Sequence, residues 1–343
     1  MNETPVDFVK DTLSIGFVSV DQQHDKIGTF QNSVKELKHQ IDVIQNNFGT
    51  LSTRAWLENP KNGKWHISFG TGNHGKIDEF NNFLKVNTQL AGITTGILTF
   101  GVLEGDAYAE QDETGQTFLD NCFIKSRGLS SMFQNENKYI LAEDSGICVD
   151  ILNGRPGVHS ARVQDDILYE GVYDRISRQF PELDRFLTRK ATEEKSLSKF
   201  RKNMKDFVNK VIISEAIREK LSGSIGFSDP FFKRYMATGN FVTTASIAKN
   251  GEIMHHAVGH MYGRLFVPTT QQYGDDSFLE TLWRDFGYNS IFAIYDREMH
   301  REVPLSMVSG EDRLKWNHRS IAMARVIVGF LFQKLLDAQE EKI

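Results

Sequence analysis

Apolar positions along the chain change their spacing several times, and each change marks a different element. Ile27, Phe30, Val34, Leu37, Ile41, Ile44 and Phe48 step alternately by three and four, which predicts a helix with an apolar seam over three heptads. Such a seam is read either as an oligomer or partner helix, or as an amphipathic helix folded back on its own domain. Gly49, Pro60 and the pair Asn62-Gly63 end that zone. From residue 65 to 163 short apolar runs alternate with helical periods. "WHISFGTG" predicts a strand and a turn, "KIDEFNNFLK" a helix, "GILTFGVL" a strand and "TFLDNCFIKSRGLSSMF" a helix. "YILAEDSGICVDIL" predicts strand, turn, strand. This alternation is an α/β pattern. Residues 164–235 read as mostly helical and charged. Strands return with "NFVTTASIA", a turn at Lys249-Asn250-Gly251 and "EIMHHAVGHMYGRLFV"; "NSIFAIY" is a further strand, and an amphipathic helix ends the chain.

Composition narrows the class. The 343 residues are 40% hydrophobic and 25% charged, with a formal charge of −5. These are the values of an ordinary soluble chain with room for a sizeable core, and they exclude a general drive toward nucleic acid or an anionic membrane. Between 185 and 210 nine Lys/Arg stand against three Asp/Glu, a run best read as a solvated helix face because no stacking aromatics are interleaved with it. "SIAMARVIVGFLF" is too short to span a bilayer and contains Arg325. The two cysteines, Cys122 and Cys148, have no metal spacing, and no charged-then-apolar leader opens the chain. A reduced, cytoplasmic protein is therefore expected, with no membrane and no nucleic-acid partner.

Four short segments carry candidate chemistry. In "FGTGNHGKIDEF" a Thr-Gly-Asn turn after a strand precedes Lys76, so backbone N–H groups and an ammonium can face an anion. "DETGQTFLDNCFIK" puts Glu113 twelve residues before Lys125, and "LAEDSGICVD" sets adjacent carboxylates, Glu143 and Asp144, before Ser145-Gly146. "DFGYNSIF" is followed by "EDRLKWNHRS", aromatics ahead of an Asn-His-Arg triplet. A fourth-period distraction, "HHAVGH", is not read as a zinc site. His255 and His256 point to opposite faces of a strand, and His256 and His260 lie about 13 Å apart at strand rise.

Taken together, the segments resemble the inosine triphosphate pyrophosphatases, hydrolases of non-standard purine nucleoside triphosphates. The resemblance covers about 65–163 and 237–332, in the family's order. The opening turn T-G-N-x-x-K is Thr71 to Lys76, and E-T-G-x-T-F-x-x-N-x-x-x-K is Glu113 to Lys125, with Asn121 in place. The acidic D-S-G is Asp144-Ser145-Gly146, and P-G-x-x-S-A-R is Pro156 to Arg162. F-G-Y-D-P-x-F is Phe286 to Phe292, and S-H-R is Asn317-His318-Arg319. Ordered matches of this kind are specific where one is not.

The resemblance implies an α/β fold, an elongated mixed central sheet flanked by helices, in two lobes with the active site in the cleft between them. It implies cleavage between the α- and β-phosphates, giving monophosphate and pyrophosphate, with Mg²⁺ as cofactor and a homodimeric assembly. Asp144 matches the base, and Glu113 with Asp144 matches the metal ligands, hard oxygen donors suited to Mg²⁺. Thr71, Gly72, Asn73, Lys76, Lys125 and Ser145 match the phosphate-binding residues. Phe286, Gly287, Tyr288, Asn289, Arg313, His318 and Arg319 match those that bind the base. Donors from His318 and Arg319 would pair with a six-position carbonyl and reject an amine there. Taken alone, each of these residues has a plainer reading: Lys76 as a surface lysine, Glu113 as a loop carboxylate, Phe286 and Tyr288 as core.

Departures gather at the base end. Asn289 replaces the family's Asp, Ser290 its Pro, Asn317 its Ser, Arg313 its Lys and Asp285 its Gly. "DDSFLETLW" is extra, and 164–235 is longer than in the family. The expected organisation is a helical extension over 1–64 and a pyrophosphatase domain over 65–343, with a helical insertion at about 164–235. Two functions compete. One is an enzyme acting on ITP, dITP or XTP. The other is a weakly hydrolysing or non-hydrolysing nucleotide sensor, joined to a protein partner through the N-terminal helix, as in bacterial anti-phage defence assemblies. A pyrimidine triphosphate pyrophosphatase of the related septum-inhibitor group is a third reading, opposed by the His318-Arg319 pair.

Overall fold

The computed structural model describes residues 65–86, 98–103, 108–133, 136, 138–222, 236–285, 287–296 and 301–340. The apolar seam of residues 27–48 and the rest of 1–64 lie outside these, as do Phe286 and residues 223–235. The described residues fall into two compact units interleaved along the chain. One comprises 65–145, Val242–Met261 and 310–340; the other comprises Gly146–Phe241 and Tyr262–Ser309.

The first unit opens with strand β1 (Trp65–Phe69), helix α1 (His74–Val86), strand β2 (Leu98–Val102) and helix α2 (Phe118–Ser131). Strand β3 (Lys138–Val149) follows and continues into the second unit. β1 pairs in parallel with both β2 and β3. Parallel strands are covered on both faces, which is why Ile67, Ser68 and Phe69 are all buried instead of alternating. Phe80 and Phe83 of α1 pack onto that sheet with Ile67, Phe69 and Leu141. Two long strands, β5 (Met236–Lys249) and β6 (Glu252–Phe266), are joined by Asn250 and Gly251 at φ +53° and +82°. Both central residues are left-handed, the geometry of a two-residue hairpin, for which Asn-Gly is the preferred pair. Helix α9 (His318–Glu340), preceded by α8 (Gly310–Trp316), completes this unit and buries Met323, Val326, Ile327 and Phe330 in the same core.

The second unit carries the charged helical segment. Strand β4 (Arg155–Pro156) pairs antiparallel with β3. After it come α3 (Val172–Gln179), α4 (Pro181–Glu193) and α5 (Leu197–Ser222). α6 (Thr270–Tyr273), α7 (Asp276–Arg284), β7 (Phe292–Asp296) and β8 (Arg301–Pro304) follow later in the chain. The C-terminal half of α5 is buried, with Phe207 and Ile213 inaccessible, and Phe207 stacks on Phe186 of α4. The basic residues between 185 and 201 mostly face outward, as the solvated-face reading expects; Lys190 and Lys210 are buried instead.

The strand order is β2-β1-β3-β5-β6-β7-β8, with β4 on β3, and the parallel pairs near β1 and antiparallel pairs at β6-β7-β8 make it a mixed sheet. The α/β class, with a central mixed sheet flanked by helices, is thus as expected. One local expectation fails. Residues 139–149 form a single strand and not strand-turn-strand. Adjacent carboxylates read as a turn because buried charges are expensive, but Glu143 and Asp144 each find cations inside the fold. Among the described residues no helix is long and apolar enough to cross a membrane.

Candidate active site

The first unit gathers most of the residues singled out at the phosphate end. The turn at 71–73 spends its side chains on starting α1. The Thr71 hydroxyl accepts from the Asn73 N–H at 3.2 Å, Asn73 Oδ1 accepts from the Gly75 N–H at 3.0 Å, and the Asn73 carbonyl accepts from Lys76 and Ile77. This is N-capping by an Asn. Gly72 has no room for a side chain, because a Cβ would lie 2.9 Å from the Tyr108 ring. The cap sets Lys76 in the first turn of α1, with Glu79 one turn on along the same face.

α2 is started by a capping box: Thr117 Oγ1 accepts from the Asp120 N–H, and the Asp120 carboxylate accepts from the Thr117 N–H. That start places Asn121 and Lys125 four residues apart on one face. Lys125 Nζ lies 3.0 Å from Glu113 Oε1 and 2.9 Å from Asp144 Oδ1, and it also donates to the Glu143 carbonyl at 3.1 Å. Asn121 spans from the other direction. Its Nδ2 donates to Asp144 Oδ2 at 3.3 Å, and its Oδ1 accepts from the Gly115 N–H at 2.7 Å.

Neighbouring residues of a strand face opposite ways, and Glu143 turns to a different set of cations. Its carboxylate pairs with Lys76 and lies 3.6 Å from Arg319 Nε. Arg319 also pairs with Glu79 and donates from Nη2 to the Ser145 hydroxyl at 3.0 Å. Arg319 stands at the start of α9, where β6 comes close: a Cβ on Gly259 would fall 1.9 Å from the His318 carbonyl oxygen.

Electrostatics separates the two carboxylates. For Glu143, burial raises the pKa, but Lys76, Arg319 and Lys125 together outweigh it and hold the group well below the usual carboxylate range. For Asp144, burial raises the pKa further than Lys125 and Lys76 lower it, so its net shift is upward. Burial pulls Lys125 down, but Asp144, Glu143 and Glu113 more than compensate and keep it charged. His318 is buried, and burial with Arg319 beside it pushes the imidazole well below its ordinary value, so it is neutral at pH 7.

The remaining residues matched to the base are distributed as follows. Arg313 lies half-buried on α8, and its carbonyl accepts from the Asn317 N–H at 2.8 Å. In the second unit Gly287 adopts φ +54°, a left-handed conformation that favours glycine. Tyr288 is buried, with its hydroxyl donating to the Ser160 carbonyl at 2.7 Å, and the Asn289 carbonyl accepts from the Ser306 N–H. Phe286 lies outside the described residues. Sequence reasoning assigned no role to Glu79, Glu143 or Asn121. The signal for Glu79 was its i+3 spacing from Lys76, and for Asn121 its i−4 spacing from Lys125. His255 and His256 are packed, His255 closely against Gly329 and His256 edge-on to Phe123. Among the described residues no group of three His, Cys, Asp or Glu is arranged to hold a metal ion.

Comparison with known proteins agrees with the motifs. A dITP/XTP pyrophosphatase of Staphylococcus epidermidis is 34% identical over 167 residues, covering 48% of this chain and 78% of that protein. One of Listeria innocua is 37% identical over 97 residues, covering 28% of this chain and 42% of the relative. A solved structure of a HAM1 protein from Coxiella burnetii aligns with a TM-score of 0.46 at 17% identity, over 78% of this chain and 98% of that one. The Ham1 family model matches residues 67–328, well over half of the sequence, and the chain belongs to the Ham1 family, the family its ordered motifs resemble.

Proposed function

We propose that this chain is a nucleoside triphosphate pyrophosphatase. It hydrolyses non-standard purine nucleotides such as ITP, dITP and XTP to the monophosphate and pyrophosphate, with Mg²⁺ as cofactor. The observation that carries the reading is the convergence of Lys76, Glu113, Lys125, Glu143, Asp144 and Arg319 in one connected cluster of charges. Lys76 and Lys125 are the phosphate-binding cations, helped by the Thr71-Gly72-Asn73 turn and Ser145. Asp144 takes the proton of the attacking water, oriented by Asn121, which grips the carboxylate oxygen opposite Lys125. Phe286, Gly287, Tyr288, Asn289, Arg313, His318 and Arg319 are the residues matched to the base, and neutral His318 can donate to a carbonyl.

The donor set fits a hard divalent ion. Glu113 and Asp144 converge on a single ammonium, each within 3.0 Å of Lys125 Nζ. Two carboxylates of this kind hold Mg²⁺ when water and phosphate complete its shell. When bound, the ion neutralises charge on the phosphates and acidifies a coordinated water.

The proposal extends to organisation: a cytoplasmic homodimer, with the pyrophosphatase domain over 65–343, the insertion at about 164–235 and a separate extension over 1–64. The test is pyrophosphate release from a panel of triphosphates with Mg²⁺, run beside a binding assay. Release from ITP, dITP or XTP well above release from ATP is expected. Tight binding without release would instead support the sensor reading, with the extension contacting a protein partner.

A further inference from the structure

Lys210 is completely buried on α5, within the segment longer than the family's, and the site above makes no use of it. A buried ammonium is costly unless its donors and charge are met. Here they are met at the end of α7. Lys210 Nζ donates to the Leu282 carbonyl and, at 2.6 Å, to the Asp285 carbonyl. These are among the last carbonyls of a helix, whose dipole favours a cation. Asp206, one turn earlier on α5, accepts from the Gly287 backbone N–H. Two side chains of α5 thus hold two backbone groups, the Asp285 carbonyl and the Gly287 N–H, next to Tyr288 and Asn289 in the chain. The Tyr288 hydroxyl on Ser160 and the Ser306 N–H on the Asn289 carbonyl secure the far side.

The contact comes from the lengthened segment: a lysine of α5 binds the backbone carbonyl of Asp285. We propose that Lys210, with Asp206, is a positioning residue for nucleobase recognition: α5 fixes the backbone of Asp285 and Gly287 so that Gly287, Tyr288 and Asn289 stand in the geometry that receives the base. The proposal rests on the base-binding role given to those three residues above. It gives the helical segment a function in substrate choice, with no contact to substrate of its own. Burial also pulls the Lys210 pKa down to about 8 against the opposing charges of Asp206 and Asp285.

The experiment uses the full chain carrying Lys210→Met, which conserves volume, and separately Asp206→Ala. Three measurements are made: thermal midpoint, hydrogen exchange of the peptide covering 282–291, and steady-state pyrophosphate release from ITP and ATP. Inhibition by inorganic tripolyphosphate, which has no base, is measured alongside. Faster exchange at 285–291 is expected, with KM for ITP raised about tenfold, kcat within about threefold and the ITP-over-ATP preference narrowed. The tripolyphosphate inhibition constant should stay unchanged, and the Lys210→Met midpoint should fall by no more than a few degrees, since a buried charge is removed along with its bonds. Unchanged exchange in both variants overturns the proposal. So does faster exchange with KM for ITP unchanged, which would detach Gly287, Tyr288 and Asn289 from base recognition while leaving the hydrolase intact. Absence of any release by the wild-type protein refutes the enzyme reading instead; ITP binding then replaces KM, and unchanged affinity in the variants overturns the positioning role.

Discussion

Replacing Glu143 by Gln keeps the shape of the side chain and removes its charge. In the wild-type protein that carboxylate is inaccessible to solvent, paired with Lys76 and 3.6 Å from Arg319 Nε. At an effective dielectric of about 20, a unit-charge pair at that distance is worth roughly 4–5 kcal/mol. Part of this is offset, because the buried carboxylate no longer has to be desolvated. The two cations also differ in their escape. The Lys76 side chain is 16% exposed and can turn its ammonium to water, whereas Arg319 is 7% exposed and, among the described residues, keeps Glu79 as its counter-charge. The loss should therefore sit near the lower end of the range for breaking a buried pair, about 3 kcal/mol. At roughly 2–4 °C per kcal/mol, the thermal midpoint falls by about 6–12 °C.

Thermal unfolding followed by circular dichroism, with and without tripolyphosphate, checks this. A polyanion replaces the missing charge, so it should raise the midpoint of Glu143→Gln more than that of wild type. The double variant Lys76→Met, Glu143→Gln should lose at least about 1 kcal/mol less than the sum of the single changes, because the two groups are in contact. Strict additivity, or a Glu143→Gln midpoint within about 2 °C of wild type, would refute the account of Glu143 as the counter-charge that organises Lys76 and Arg319.

Other expectations follow from the same cluster. Asp144→Asn should abolish pyrophosphate release while leaving nucleotide affinity within about tenfold, since both lysines remain; near-normal turnover would remove Asp144 from its role as base. Arg319→Ala should narrow the ratio of kcat/KM for ITP over ATP and, by leaving Glu143 with Lys76, lower the thermal midpoint too; an unchanged ratio would locate selectivity elsewhere. Glu143 also predicts an acid limb. Its folded pKa lies well below the ordinary value of about 4.3, so its contribution is complete above that value and is lost as pH falls through the folded one. Equilibrium unfolding between pH 7 and 3 should show wild-type stability falling more steeply below about pH 5 than that of Glu143→Gln, and parallel curves would contradict the shift.

Much of the fold was legible because local chemistry agreed with tertiary demand. Asn250-Gly251 between apolar runs yields the hairpin it predicts, and the Thr117/Asp120 box starts α2 as such residues do. The phosphate end was legible because its residues come in short, ordered motifs. What escaped was set by partners remote in sequence. Glu143 and Asp144 read as a turn, since nothing nearby in the chain announces that Lys76, Lys125 and Arg319 will neutralise them inside a strand. Lys210 sat in a basic run and read as a solvated face, although its neighbours Phe207, Val211 and Ile213 already placed that stretch of α5 in a core. Tyr288 was matched to the base with core as its plainer reading, and whether an aromatic ring packs or stacks cannot be taken from its spacing alone. Its hydroxyl bond to Ser160 is a pairing across 128 residues of chain.

The charges of the cluster bear on how a nucleotide enters it. Glu79, Glu113, Glu143 and Asp144 meet Lys76, Lys125 and Arg319, four carboxylates against three cations. Without ligand the site is nearly self-neutral, which is how so many ionised groups coexist at low exposure. A triphosphate brings about four further negative charges, so the same cluster would repel it unless positive charge arrived as well. Lys125 makes the point most sharply. It is clamped between Glu113 and Asp144, and it can face a phosphate oxygen only when those carboxylates have another cation to hold. Glu113 and Asp144, holding a divalent ion as proposed, would meet that requirement: they would release the ammonium, and the ion would supply the charge the polyanion needs. Lys76 differs: Glu143, its partner, keeps Arg319 and needs no substitute. On the proposed roles the two lysines would thus be unequal, one available from the outset and one conditional on metal, and triphosphate binding would be tied to metal binding through a single side chain.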